Sequence, residues 1–96
     1  MKRRSAEPIS SLLSQFLRQE GLETQLAEYR AIKAWPNVVG ETMARATDSV
    51  IVRGQTMIVR LTSPLVRYEL LLRREDLLQQ LNKAAGSTIL YELKLV

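Results

Sequence analysis

Residues 49–62, SVIVRGQTMIVRLT, decide the fold, because the spacing of apolar residues changes there from a helical period to strict alternation. Two runs rich in β-branched residues flank Gly54 and Gln55, which predicts a β-hairpin with a tight turn at the glycine. By alternation, one face of this hairpin is apolar and carries Val50, Val52, Met57, Val59 and Leu61. The other face carries Ile51, Arg53, Ile58, Arg60 and Thr62. The hairpin therefore offers one face to a core and leaves a second, partly basic face for another role.

Helical spacing precedes the hairpin. Apolar residues at i, i+3, i+4, i+7 and i+8 predict an amphipathic helix between Pro8 and Gly21, carrying Ile9, Leu12, Leu13, Phe16 and Leu17. A second helix is expected to begin near Leu22. Pro36 lacks an N–H and its ring clashes with the carbonyl four residues earlier, so we expect this helix to kink or restart there, with a second helical piece from Pro36 to about Ala46. Trp35, the only tryptophan, is expected to be a buried anchor beside that break.

A third helix and a last strand follow the hairpin. Ser63 and Pro64 form an N-cap followed by a proline at the first helical position, and one helix is expected from there to Gly86. The closing stretch 88–96, TILYELKLV, is typical of a strand. The element order predicts a two-layer α+β domain over residues 8–96, with a three-stranded sheet and helices on one face. Residues 1–7 are expected to be a flexible basic arm.

Composition narrows the possible functions. The chain has 96 residues, 46% of them hydrophobic, and a net charge of +4, which permits binding to nucleic acid or an acidic partner. It has no cysteine and no histidine, which excludes disulfides, thiol chemistry and histidine-based acid–base catalysis, and leaves no basis for a zinc site. No run approaches the ~18 apolar residues of a membrane span, and the start lacks the apolar core of a signal peptide. These features predict a soluble, cytoplasmic protein.

Motifs of catalysis are missing from the sequence. Neither of the common glycine-rich phosphate-binding patterns occurs. The only adjacent carboxylates, Glu75 and Asp76, lie on a predicted helix, where neighbouring side chains point in different directions. We therefore expect no catalytic residue, no cofactor and no bound metal.

Basic residues provide the first candidate site. The proposed nucleic-acid contacts are Lys2, Arg3, Arg4, Arg53, Arg60 and Lys94. Solvated surface charge explains any one of them taken alone, whereas for the arm and the sheet face together solvated charge and contact with phosphates, which releases counterions, both stay open. The face has no aromatic residue to stack on bases, so non-specific contact with the backbone is the expected mode.

Apolar residues provide a second candidate site, for a protein partner. Ile51, Ile58 and Leu90 are expected to meet solvent if no helix covers their side of the sheet. Tyr68 and Leu72 point away from the core stripe of the third helix, and they either form a partner surface or belong to a wider stripe buried under the second helix.

Several stretches, taken in order, carry a family resemblance. The first, AWPNVVGETMARAT at 34–47, contains Trp35, Val39, Gly40 and Thr47. Next come the hairpin glycine Gly54 and the stretch SPLVRYEL at 63–70, with Ser63, Pro64, Glu69 and Leu70. The stretch LLQQLNKAAG at 77–86 adds Leu77, Leu78, Leu81, Asn82 and Gly86. From about Leu22 onward the chain thus resembles the DciA family of bacterial replication proteins.

The resemblance implies a KH-like fold, similar to the N-terminal domain of the bacterial replication initiator. It also implies an adaptor without ATPase activity that binds the replicative DNA helicase and DNA and assists helicase loading. The chain has Leu65 and Val66 where many members have an aromatic residue, and it lacks the G-x-x-G loop with which classical KH domains bind RNA, so RNA binding is not implied. Two alternatives stay open: a nucleic-acid-binding module independent of the helicase, and a purely structural protein-interaction domain.

Overall fold

The computed structural model describes the backbone of residues 9–96 and the side chains from Ser11 onward. The predicted basic arm, with Lys2, Arg3 and Arg4, lies outside the described residues. The helices are α1 (Ile9–Gln19), α2 (Glu23–Val39), α3 (Glu41–Arg45), α4 (Pro64–Leu72) and α5 (Arg74–Ala85). The strands are β1 (Thr47–Arg53), β2 (Thr56–Leu61) and β3 (Glu92–Leu95). This arrangement confirms an α+β fold with a three-stranded sheet.

The sheet is mixed, with the strand order β1-β2-β3. The β1–β2 hairpin is antiparallel and pairs Val50 with Val59, as the alternation predicts. Its turn contains Gly54 at φ +63°, a left-handed conformation that glycine adopts without steric cost. β3 runs parallel to β2 and pairs Leu93 with Met57. A bulge between Thr47 and Ser49 interrupts the pairing at the start of β1.

The core lies between one face of the sheet and the helices α2, α4 and α5. Met57 and Val59 of β2 are completely buried, and Trp35 of α2 is only 2% exposed. Further buried residues come from the helices and from the end of the chain: Ala31, Leu70, Leu77, Leu81, Leu90 and Leu93. The expectation that Trp35 is a buried anchor is confirmed.

Of the two outcomes expected at Pro36, a kink or a restart of the helix, the restart is wrong, because the next helical piece begins only at Glu41. Helix α2 continues through Pro36 as far as Val39, and the chain leaves helical geometry at Gly40, which has φ +94° and ψ +159°. Pro36 is exposed, while its helix neighbours Trp35 and Val39 are buried in the core. The burial of these two residues outweighs the hydrogen bond that proline removes. The positive φ of Gly40 is incompatible with a continuing helix and separates α2 from α3.

The single helix predicted after the hairpin is also wrong. It begins as expected, with the Ser63 hydroxyl accepting a hydrogen bond from the Val66 N–H at 3.3 Å. It is then interrupted at Arg73 (φ −111°, ψ 17°), which separates α4 from α5. Leu70 and Leu77 lie on either side of the break and are both fully buried. Their seven-residue spacing equals two turns of a continuous helix, so the hydrophobic pattern does not reveal the break.

Candidate nucleic-acid and partner surfaces

The side of the sheet turned away from the helices forms a surface that we call the open face. Residues paired across neighbouring strands share a face, so the register sorts its side chains into rows. The first row contains Arg53, Thr56 and Glu92, the second contains Ile51, Ile58 and Lys94, and the third contains Ser49, Arg60 and Val96. The open face thus has an apolar centre with cations around it.

The sheet brings three predicted cations, Arg53, Arg60 and Lys94, onto this face, and all three are exposed. Arg53 and Arg60 do not meet, because their rows are four residues apart, or about 13 Å at ~3.3 Å per residue. Lys94 lies between them, in the row of Ile58. The only ion pair in the described part of the chain joins Arg45 to Glu41 at 3.3 Å. No described carboxylate therefore neutralises the cations of the open face.

Glu92 limits the basic character of the open face at one end. The Thr56 hydroxyl donates a hydrogen bond to the Glu92 carboxylate at 3.3 Å, within the same row as Arg53. The row of Arg60 has no acidic side chain, but the exposed Asp48 lies beside Ser49 at the bulge. An acidic residue is therefore present near each end of the open face.

The apolar centre of the open face agrees in part with the predicted partner residues. Ile51 is 42% exposed and Ile58 is half-buried. Ile51 belongs to β1, at the edge of the sheet, whereas Ile58 lies on the central strand with neighbours on both sides. These two isoleucines form a small apolar surface in the middle of the basic residues.

Leu90 does not belong to this surface, and its prediction as an exposed partner residue is wrong. It is 1% exposed and lies in the core. The strand begins later than predicted. The N–H groups of Tyr91 and Glu92 both donate to the carbonyl of Gln55 (2.8 and 3.3 Å), which does not happen in regular strand pairing. Strict alternation starts only at Glu92, so the two-residue period cannot be extended back to Leu90.

The side chain of Asn82 holds the segment before β3 in place. Its amide nitrogen donates to the Leu90 carbonyl at 2.9 Å. Its oxygen accepts from the N–H groups of Ile89 and Leu90, at 3.0 and 2.9 Å. This one side chain replaces the backbone pairing that the predicted strand would have supplied, and it keeps Leu90 directed into the core.

The outward side of α4 forms the second candidate surface, which we call the α4 stripe. Leu65, Tyr68 and Leu72 follow the spacing i, i+3 and i+7 and are 69%, 61% and 71% exposed. The alternative that a wider core stripe buries Tyr68 and Leu72 is therefore wrong. Sequence reasoning did not select Leu65, although its spacing from Tyr68 and Leu72 is the signal that identifies it. The buried residue of this helix, Leu70, points to the core from the other side.

Neither surface contains a recognisable metal site. Within the described residues, no group of three or more acidic side chains is placed to hold a metal ion. No helix in that part of the chain is long and apolar enough to cross a membrane.

The fold and its two surfaces define the chain as a small basic α+β domain with both charged and apolar exposed surface. The family model described as Dna[CI] antecedent, DciA, matches residues 8–95, and the chain belongs to this family. The DciA family is associated with helicase loading, which places the chain in a replication-related family. No curated protein matches the chain.

Proposed function

We propose that this chain is a non-enzymatic adaptor that contacts the replicative DNA helicase and DNA and assists helicase loading. The observation that carries the proposal is the match to the DciA family over residues 8–95. The separation of a basic surface from an apolar surface supports it, because an adaptor needs room for two partners. The KH-like fold and the cytoplasmic location follow from the same proposal.

DNA binds to the open face through its phosphates. Arg53, Arg60 and Lys94 are exposed and free of described ion pairs, so each is available to a phosphate oxygen. The other side chains of this face are small hydroxyls, aliphatic groups and one carboxylate, none of which stacks on a base. Binding is therefore independent of sequence and sensitive to salt, with a slope of about −2 for three contacts to a single strand.

The helicase binds to the α4 stripe. Three large apolar side chains exposed on one side of a nine-residue helix are costly to leave in water, and they suit the apolar groove of a protein partner. Helix α4 packs on the helix side of the sheet, while the open face is on the other side. One molecule can therefore hold both partners at the same time.

The test separates the two contacts with two double variants. Arg53→Glu with Arg60→Glu should lower DNA affinity at least tenfold and leave helicase affinity unchanged. Tyr68→Ser with Leu72→Ser should lower helicase affinity at least tenfold and leave DNA affinity unchanged. DNA binding is measured by fluorescence anisotropy and helicase binding by calorimetry, both at low salt. If the unaltered chain shows no helicase binding by calorimetry and by pull-down, the adaptor function is wrong.

A nucleic-acid-binding module independent of the helicase is the second candidate, because the three cations of the open face, which form no ion pair with a described residue, suffice for it alone. It predicts salt-dependent DNA binding together with no affinity for the helicase. A structural interaction domain predicts the reverse, a protein partner without salt-dependent nucleic-acid affinity. The same two measurements on the unaltered chain therefore decide among the three functions.

A further inference from the structure

Strand β1 lies at an edge of the sheet, and the hydrogen bonds of β2 determine which of its backbone groups are free. Val96 donates to the Val59 carbonyl and accepts from the Leu61 N–H, both at 2.9 Å. Val59 and Leu61 therefore direct their backbone groups toward β3. By alternation, Ile58 and Arg60 direct theirs toward β1, where their partners are Ile51 and Ser49.

The backbone N–H and C=O groups of β1 that do not pair with β2 are those of Val50 and Val52, and they point outward from the edge of the sheet. No backbone hydrogen bond from elsewhere in residues 9–96 reaches either residue. Natural edge strands are usually protected by charged side chains, proline or a bulge. The bulge of β1 is confined to its start, and the one charged side chain within residues 50–53 is Arg53, at the end of the strand, so residues 50–52 contain no protecting feature. This stretch is therefore open to pairing with another strand.

We propose that the partner of this edge is a second copy of the same chain, paired antiparallel through β1 with Ile51 at the twofold axis. In this register Val50 of one copy lies opposite Val52 of the other. Each valine then exchanges both of its backbone hydrogen bonds with its partner, so every outward N–H and C=O of the two residues is satisfied. The two three-stranded sheets join into one sheet of six strands.

The side chains of the open face favour this register over its neighbours. Ile51 meets Ile51 of the second copy as a non-hydrogen-bonded pair, the type in which opposite Cα atoms are about 4.5 Å apart. The most exposed isoleucine of the open face is thereby covered by an apolar partner. An axis at Val50 would place Ile51 opposite Ser49, and an axis at Val52 would place it opposite Arg53, so neither covers it with an apolar side chain.

The second copy also changes the basic surface. Arg53 of the second copy lies opposite Ser49, in the same row as Arg60, two strand spacings or about 10 Å away. Within one copy, Arg53 and Arg60 are separated by about 14 Å from the strand rise and spacing. The pairing therefore creates two rows, each of which contains Arg60 of one copy and Arg53 of the other. Their use for DNA rests on the proposed function, whereas the pairing itself does not.

Disulfide cross-linking tests the pairing and its register, because the chain contains no cysteine that would compete. The Ile51→Cys variant should form a covalent dimer under mild oxidation, since opposite Cα atoms at about 4.5 Å lie within disulfide range. Ser49→Cys alone is the matched control and should stay monomeric, because position 49 of one copy lies four residues along the strand from position 49 of the other. A mixture of Ser49→Cys and Arg53→Cys proteins should cross-link to each other.

A second measurement keeps the test independent of oxidation. Sedimentation equilibrium of the unaltered chain should show a reversible dimer as concentration rises. Ile51→Lys should abolish the dimer by placing two ammonium groups at the axis, while Ile51→Val should retain it. Circular dichroism establishes that both variants are folded.

A chain that stays monomeric over the whole concentration range, or that cross-links equally at Ser49 and Ile51, overturns the proposal. A monomer whose β1 edge binds only an extended segment of another protein overturns it too. Neither measurement involves DNA binding, so the absence of a dimer would not contradict the proposed function.

Discussion

The indole N–H of Trp35 donates a hydrogen bond to the hydroxyl of Thr47 at 3.0 Å. The same hydroxyl donates to the carbonyl of Met43 at 3.1 Å. This short chain of bonds joins α2, α3 and the first residue of β1. Trp35 therefore fills the core with its ring and also determines where the hairpin begins relative to the helices.

Removing the ring should cost more than removing the hydrogen bond. Trp35→Ala should lower the free energy of unfolding by about 3–5 kcal/mol, because it leaves a large cavity. Trp35→Phe should cost less, since it keeps most of the apolar volume. Thr47→Val should cost about 1–3 kcal/mol, because it leaves the buried indole N–H without an acceptor. Urea denaturation measures all three.

A double-mutant cycle isolates the Trp35–Thr47 bond. Combining Trp35→Phe with Thr47→Val should cost less than the sum of the single changes, because neither partner is then left alone. Strict additivity would mean that the bond is absent or energetically unimportant.

Asn82 is expected to be among the most sensitive polar positions in the chain. Asn82→Ala removes the acceptor of two N–H groups and the donor to one carbonyl in the segment before β3. We expect a loss of at least about 2 kcal/mol, since each buried unsatisfied group costs ~1–3 kcal/mol. Gln79→Ala, at an exposed position on the same helix, is the control and should stay within about 0.5 kcal/mol of the unaltered protein. Equal effects of the two changes in chemical denaturation would contradict the proposed role of Asn82.

The two residues at the end of α2 should respond to alanine in opposite directions. Pro36→Ala restores a helical N–H at an exposed position and should raise the free energy of unfolding by about 1–3 kcal/mol. Gly40→Ala should lower it by about 1–3 kcal/mol, because φ +94° with ψ +159° is a conformation almost confined to glycine. No atom lies within 4 Å of the added methyl group, so the backbone conformation alone causes the loss. Thermal and urea denaturation check both signs, and destabilisation by Pro36→Ala would contradict this account.

Salt dependence measures the phosphate contacts on the open face. In a plot of log affinity for a labelled single-stranded oligonucleotide against log salt, Arg60→Gln should reduce the slope by about 0.7. Arg18→Gln, an exposed change on α1, is the charge-matched control and should leave the slope unchanged. The two variants have the same net charge, so equal slopes would show that only overall charge matters and would exclude a contact at Arg60.

Local patterns were sufficient for much of the fold and for part of the site. Alternation within residues 49–62 identified both faces of the hairpin, and the two-residue turn established its register, so Ile51, Arg53, Ile58 and Arg60 were placed correctly. The N-cap at Ser63 depends on neighbouring residues only, and it too was correct. Tyr68 and Leu72 were recognised by their angular distance from the core residues of their helix.

Long-range contacts decided the remainder. A proline normally disfavours a helix, but the burial of Trp35 and Val39 keeps α2 intact as far as Gly40. Three hydrogen bonds from Asn82 place Leu90 in the core, against the two-residue period. By itself the sequence determined those helices and strands that depend on apolar spacing, capping residues and turns within a few residues of one another. Tertiary structure alone decided that α2 continues through Pro36, where β3 begins and that Lys94 joins Arg53 and Arg60 on one face, because those outcomes depend on burial and pairing between distant segments.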